Sequence, residues 1–243
     1  MAFPLTHLCV AYRIIEKADP LVKGGLLNLA SDEARRAFIL GSIAPDAVHY
    51  RKGFVDAEMS GIGATKKVVH LCPISGERWG QVTDNDGWVE VVRAFLRENS
   101  GDVFAAGYAV HVLTDIFNNK GIWNEFRVKY PAEAAKGYKS DYYRDMRDID
   151  FRIYNEFFRD SDMRRLLQES RPQDFMGLII ADELRDLKDN LLYVAYETVP
   201  NDVDTSRCFY VTYPQMLEFI NDAAEFCLRQ MYSGLTLKPF RKL

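Results

Sequence analysis

The segment Gly107-Tyr-Ala-Val-His111-Val-Leu-Thr-Asp115-Ile-Phe117 constrains this chain more than any other stretch. Together with Phe104, Ala105 and Ala106 it is apolar on every side of a helix, so the helix belongs inside a core. It nevertheless carries one imidazole and one carboxylate, four residues apart and therefore stacked on one helix face. Burying a carboxylate without a partner is costly. A hydrogen-bonded His–Asp pair would satisfy it, and so would a divalent cation shared by both groups.

The chain has only four histidines, His7, His49, His70 and His111. Thr6 is expected to cap a helix that opens at His7, where the positive helix end keeps the imidazole neutral and able to ligate. Gly41 is expected to stop a helix over about 32–40. Pro45 then fixes the chain before Asp46 and holds that carboxylate on a rigid turn. His70 follows a glycine-bearing loop, with Val68, Val69 and Leu71 available to bury its backbone. Each piece alone has a plainer explanation: a surface histidine, a turn aspartate, a hydrogen-bonded helix pair.

The order Thr6-His7-Leu8, Gly41-Ser-Ile-Ala-Pro-Asp46, His70 and Gly107-Tyr-Ala-Val-His111-Val-Leu-Thr-Asp115 resembles the zinc-dependent phospholipase C family, most closely its short members. Arg144-Asp145-Met-Arg-Asp148-Ile-Asp150-Phe151 is similar to an acidic helix motif of those members, and the likeness spans about residues 5–155. It implies an all-α, compact multi-helix domain with that family's fold. It implies a site in which Asp46, His70, His111 and Asp115 hold one ion while Asp115 bridges to a second ion held by His7. Asp46 is also the candidate catalytic carboxylate. No histidine follows His111, so Asp148 is assigned a metal-side role and Asp145, Asp150 and His49 a supporting one. The implied cofactor is zinc, two ions, with another divalent metal as the alternative. The implied activity is hydrolysis of a small-molecule or lipid phosphate ester by metal-activated water. The alternative is a non-catalytic, metal-binding helical module that binds a lipid, a phosphate ester or a protein. A helical phosphohydrolase of the HD type needs adjacent His-Asp, which this sequence lacks.

At 243 residues and 48% hydrophobic, the chain can bury one sizeable core, so a single domain over 1–243 is expected. A net charge of −4 argues against a nucleic-acid-binding surface. No apolar run reaches the roughly 18 residues that span a bilayer. The first residues lack a basic stretch followed by an apolar one, so a cytoplasmic location is expected. Cys9, Cys72, Cys208 and Cys227 show no paired spacing and are expected to be free and buried. Oligomeric state is left open.

Helices are expected near 6–18, 31–40, 84–98, 101–118, 121–137, 140–159, 161–169, 173–198 and 213–233, with Arg207-Cys-Phe-Tyr-Val-Thr212 as the one strand candidate. The long irregular stretch 48–64 joins Asp46 to His70 and is expected to wall the pocket. Glu183-Leu-Arg-Asp-Leu-Lys-Asp189 is expected to be a solvated face. Tyr193, Tyr196, Phe209, Tyr210 and Tyr213 are expected to be plain core, with an apolar-ligand lining as the alternative.

Overall fold

The computed structural model describes residues 3–21, 27–54, 64–73 and 80–232. Most of the proposed wall, residues 55–63, lies outside the described residues. Among the described residues the fold is all-helical, and none of its helices is long and apolar enough to cross a membrane. Its axis is the helix Val103–Lys120, buried on nearly every side, as its apolar circumference requires. Around this central helix pack Pro4–Leu21, Asp32–Gly41, Asn85–Glu98 and Tyr213–Met231. A second group, Asp141–Ile153, Asp162–Glu169 and Ala181–Tyr193, closes the outside.

Local sequence explains five of the helix starts among the described residues. Ser31, Asp84, Asp102 and Ser161 each accept a backbone N–H three residues on, and Thr212 with Gln215 forms a reciprocal capping box. Thr6 does not cap. The first helix starts at Pro4, and the buried Thr6 hydroxyl faces the sulfur of Met216 at 3.8 Å. His7 therefore sits one turn inside the helix.

Gly41 does more than end a helix. The C-cap is Ser42 in ordinary right-handed backbone, so no left-handed glycine is needed there. Gly41 and Gly107 instead face each other where two helices cross. A Cβ on Gly41 would lie 2.3 Å from the Phe104 carbonyl oxygen, and one on Gly107 would lie 2.2 Å from that of Phe38. Only hydrogen fits at either position, and the two backbones meet directly.

Pro45 opens a 3-10 helix, Ala44–Tyr50, which carries Asp46 and His49. A short helix, Ala64–Val69, leads to His70. Val68 on it is 43% exposed, so it does not bury the His70 backbone as expected. The Trp88 indole N–H instead donates to the His70 carbonyl at 3.0 Å, and the Tyr108 hydroxyl donates to the Val69 carbonyl.

Three further expectations change. The segment 173–198 is helical only over Ala181–Tyr193, because Met176 and Gly177 take positive φ and close a turn through a bridge between Phe175 and Ile179. Arg207–Thr212 forms no strand: the Phe209 and Tyr210 N–H groups both donate to Asp145 Oδ2, at 2.8 Å each, which takes the donors a ladder would use. The charged helix is not simply a solvated face. Glu183 is buried in a two-pronged pair with Arg51, at 2.7 and 2.9 Å, and Lys188 donates to the Gln168 and Ser170 carbonyls. The four cysteines are free, and all but the half-buried Cys208 lie inside.

Candidate metal centre

Four elements bring five side chains to one point in the core. The first helix supplies His7, the 3-10 helix Asp46, the turn after Ala64–Val69 His70, and the central helix His111 and Asp115. His7, His70, His111 and Asp115 are buried, and Asp46 is only 13% exposed at its side chain. Their ligand atoms form two groups that could each hold a metal ion, His7–His111–Asp115 and Asp46–His70–His111, sharing His111.

The separations carry chemical information. His70 Nε2 lies 3.4 Å from Asp46 Oδ1 and 3.8 Å from Asp115 Oδ2. His111 Nε2 is 3.9 Å from both of those oxygens, and His7 Nε2 is 3.6 Å from Asp115 Oδ1. A good N–H···O bond closes to about 2.7–3.2 Å. Donors on one tetrahedral cation, with bonds of about 2.0–2.2 Å, stand about 3.3–3.6 Å apart. The observed spacings are too long for hydrogen bonds and close to those of a shared ion. Among the described residues, both ring nitrogens of His7, Nε2 of His111 and Oδ1 of Asp46 are buried without a hydrogen-bond partner. Such orphaned atoms are costly unless a ligand serves them.

The other ring nitrogens fix the tautomers. His111 Nδ1 meets the Ser42 carbonyl at 2.8 Å and His70 Nδ1 meets the Lys66 carbonyl at 2.9 Å. A carbonyl only accepts, so both Nδ1 atoms carry the proton and both Nε2 lone pairs face the centre. The Ser42 contact depends on the Gly41–Gly107 crossing, which places that carbonyl one turn from His111. The His7 and His111 rings stack at 3.7 Å and 9°, and His70 meets His111 edge-on at 5.2 Å.

Burial, followed by the neighbouring His111, pushes the His7 imidazole down to about 3, and burial also lowers His70. Both are neutral near pH 7, the form that ligates. Burial pushes the Asp46 carboxyl up, but the surrounding His111, His49 and His70 outweigh it and hold it well below the usual carboxylate range. Asp115 is likewise lowered, burial being outweighed first by His7 and His111. The centre thus holds two buried carboxylates among imidazoles of which His7 and His70 are neutral. A divalent cation would balance the carboxylates, and mixed nitrogen and oxygen donors are a set that such an ion can take.

The remaining candidates fall elsewhere. His49 borders the centre: its Nε2 is 3.6 Å from Asp46 Oδ1 and 3.1 Å from Nζ of Lys66, a buried lysine that sequence reasoning passed over. The fold buries both Lys66 and Lys67. Asp148 is half-buried and belongs to neither ligand group. Asp145 is a loop anchor, its carboxylate engaged by the Phe209 and Tyr210 N–H groups and by Arg144.

Asp150 accepts the Tyr196 hydroxyl at 2.5 Å, with Cys9 close by. Burial pushes its carboxyl up to about 7, a rise that Tyr196 and the Leu5 backbone N–H only partly offset. A raised carboxyl stabilises the fold fully below its unfolded value of about 4, and that contribution is lost as pH rises through about 7. Asp150→Asn is therefore expected to gain stability over the wild type between pH 5 and pH 8, on the order of 2 kcal/mol. Urea unfolding at both pH values checks this; a difference that does not change with pH would contradict it.

A scan of protein-family models, a search of curated proteins and a search of solved structures each give no match to this chain.

Proposed function

We propose that the protein is a metal-dependent phosphoesterase, phospholipase C-like in its ligand order, acting on a small-molecule or lipid phosphate ester. The observation that carries the proposal is the set of N–O separations of 3.4–3.9 Å among five side chains, four of them buried and Asp46 nearly so. Zinc is the favoured cofactor and two ions the favoured count, with Asp115 between them. When bound, such ions supply charge against a phosphoryl oxygen and acidify a water toward neutral pH.

The chain's own groups divide the remaining work. His70 and His111 are held by the Lys66 and Ser42 carbonyls, so their lone pairs are aimed without rearrangement. Burial keeps His7 unprotonated. Asp46 is the most accessible of the five, at 13% against 3% for Asp115 and 0% for His70. A substrate would therefore meet the Asp46 side first, and this carboxylate is placed to accept a hydrogen bond from an attacking water and orient it. His49, 33% exposed, stands beside it toward solvent.

The near-complete burial of His7, His111 and Asp115 favours a second assignment, in which the cation braces the helices without catalysis. Hydrolysis of a phosphodiester such as bis(p-nitrophenyl) phosphate distinguishes the two. Activity is expected to vanish with chelator and return on adding zinc or manganese. A fully metallated protein that hydrolyses no phosphomonoester, phosphodiester or phospholipid would leave the bracing role.

A further inference from the structure

A groove lies between the end of the central helix, the helix Ile122–Lys129, the segment 209–212 and the start of the helix Tyr213–Met231. Its volume is about 460 Å³, and it is open on one side. None of its lining residues belongs to the metal centre.

Its wall is a corner of aromatic rings. Tyr130 and Tyr210 meet at 4.9 Å and 86°, Phe209 and Tyr210 at 5.1 Å and 85°, and Tyr130 and Phe209 at 6.1 Å and 62°. Phe209 is 68% exposed, far from the plain core expected for this aromatic run. The rings are held in place from behind, because the buried Asp145 carboxylate binds the N–H groups of Phe209 and Tyr210. The buried Asp145 side chain thus fixes the backbone that carries both rings, Phe209 exposed and Tyr210 half-buried.

The lining of the same groove carries three carboxylates, the exposed Glu125 and Glu218 and the half-buried Asp222, and one ammonium, Lys129. Among the described residues none of the three carboxylates forms an ion pair, and Lys129 stands 5.2 Å over the Tyr130 ring. Aromatic faces together with carboxylates attract a flat organic cation. The same fold already contains one such arrangement closed by its own chain. The Arg152 guanidinium lies 3.9 Å over the Tyr213 ring while donating to Glu156 at 2.7 Å, and the Tyr213 hydroxyl donates to the same carboxylate. In the groove, ring and carboxylate are present without the guanidinium.

We propose that this groove is a docking site for a basic peptide segment that lays an arginine side chain against Tyr130, Phe209 and Tyr210. Glu125, Glu218 and Asp222 take its charge. The open side leaves room for the backbone that carries the arginine. A guanidinium also has N–H donors for the carboxylates, which a quaternary ammonium lacks. The site is independent of metal and of phosphoester chemistry.

The test is fluorescence anisotropy of the full chain with a labelled Gly-Arg-Gly-Arg-Gly peptide and its citrulline counterpart, which keeps the shape and loses the charge. The arginine peptide is expected to bind at least about tenfold more tightly than the citrulline one. The double variant Glu218→Gln/Asp222→Asn and the variant Tyr130→Leu should each weaken it at least about fivefold, with unchanged circular dichroism. Chelator should leave the affinity as it is. Equal binding of the two peptides, no saturable binding, or wild-type affinity in both variants would overturn the proposal. Displacement of the peptide by tetramethylammonium at lower concentration than by arginine amide would overturn it in favour of a small organic cation.

Discussion

Asp115→Asn is expected to weaken zinc binding by about 100-fold or more, while His49→Ala weakens it by no more than about 10-fold. The two carboxylate oxygens of Asp115 face different partners. Oδ1 stands 3.6 Å from His7, whereas Oδ2 stands 3.8 Å from His70 and 3.9 Å from His111. An amide supplies one neutral acceptor and one N–H₂ group, so the substitution removes charge and presents donor hydrogens to one side. His49 is not one of the five convergent side chains; it meets Asp46 and Lys66, and its loss leaves all five in place. Competition against a chelating dye gives both affinities, and elemental analysis after dialysis gives the stoichiometry, expected to be at least one ion per wild-type chain. Phosphodiester hydrolysis by Asp115→Asn is expected to fall in step with metal content. Equal affinities in the two variants would remove Asp115 from between the ions.

Gly107→Ala is expected to destabilise the protein, although alanine is the better helix former. Helix propensity alone favours the alanine by about 1 kcal/mol. The added methyl, however, would lie 2.2 Å from the Phe38 carbonyl oxygen and 3.1 Å from the Ser42 nitrogen, which are backbone atoms with no rotamer to change. The helices must move apart, at a cost of about 1–3 kcal/mol from overpacking beyond the propensity gain. In a chain of this size that lowers the melting temperature by about 2–12 °C. The same movement draws the Ser42 carbonyl away from His111 Nδ1, so zinc affinity should drop as well. Thermal unfolding of the metal-free protein isolates the packing effect, and a melting temperature at or above the wild type's would show that the crossing is not this tight.

Sequence pattern was most informative where one segment decides its own structure. The central helix was legible because its apolar residues run all the way round, and its His–Asp pair because four residues make one turn. The Pro-Asp turn held for a similar reason, since proline acts on its immediate neighbours. Legibility fails where a distant partner decides. Asp145 reads like any acid on a helix face, yet its partners are backbone N–H groups more than sixty residues away. Lys66 and Glu183 look solvated until the 3-10 segment and Arg51 arrive beside them. Thr6 looks like a cap because nothing nearby announces that Pro4 already begins the helix. Gly41 looks like a stop signal because its actual neighbour, Gly107, is remote in sequence.

His111 belongs to both ligand groups, but an imidazole whose Nδ1 donates to the Ser42 carbonyl offers at most one lone pair, at Nε2. It can serve only one ion at a time. Assigned to the Asp46–His70 side, it completes a set of four protein donors with one oxygen of Asp115. The other ion then keeps only His7 and the second oxygen of Asp115 among the described residues. If both positions take an ion, two so unequal in donor number would fill at different concentrations. The richer one would hold its ion through purification, and the poorer one would exchange with the surrounding medium. The free zinc level would then act on this protein as a dial, grading it between a singly loaded, stable form and a doubly loaded one.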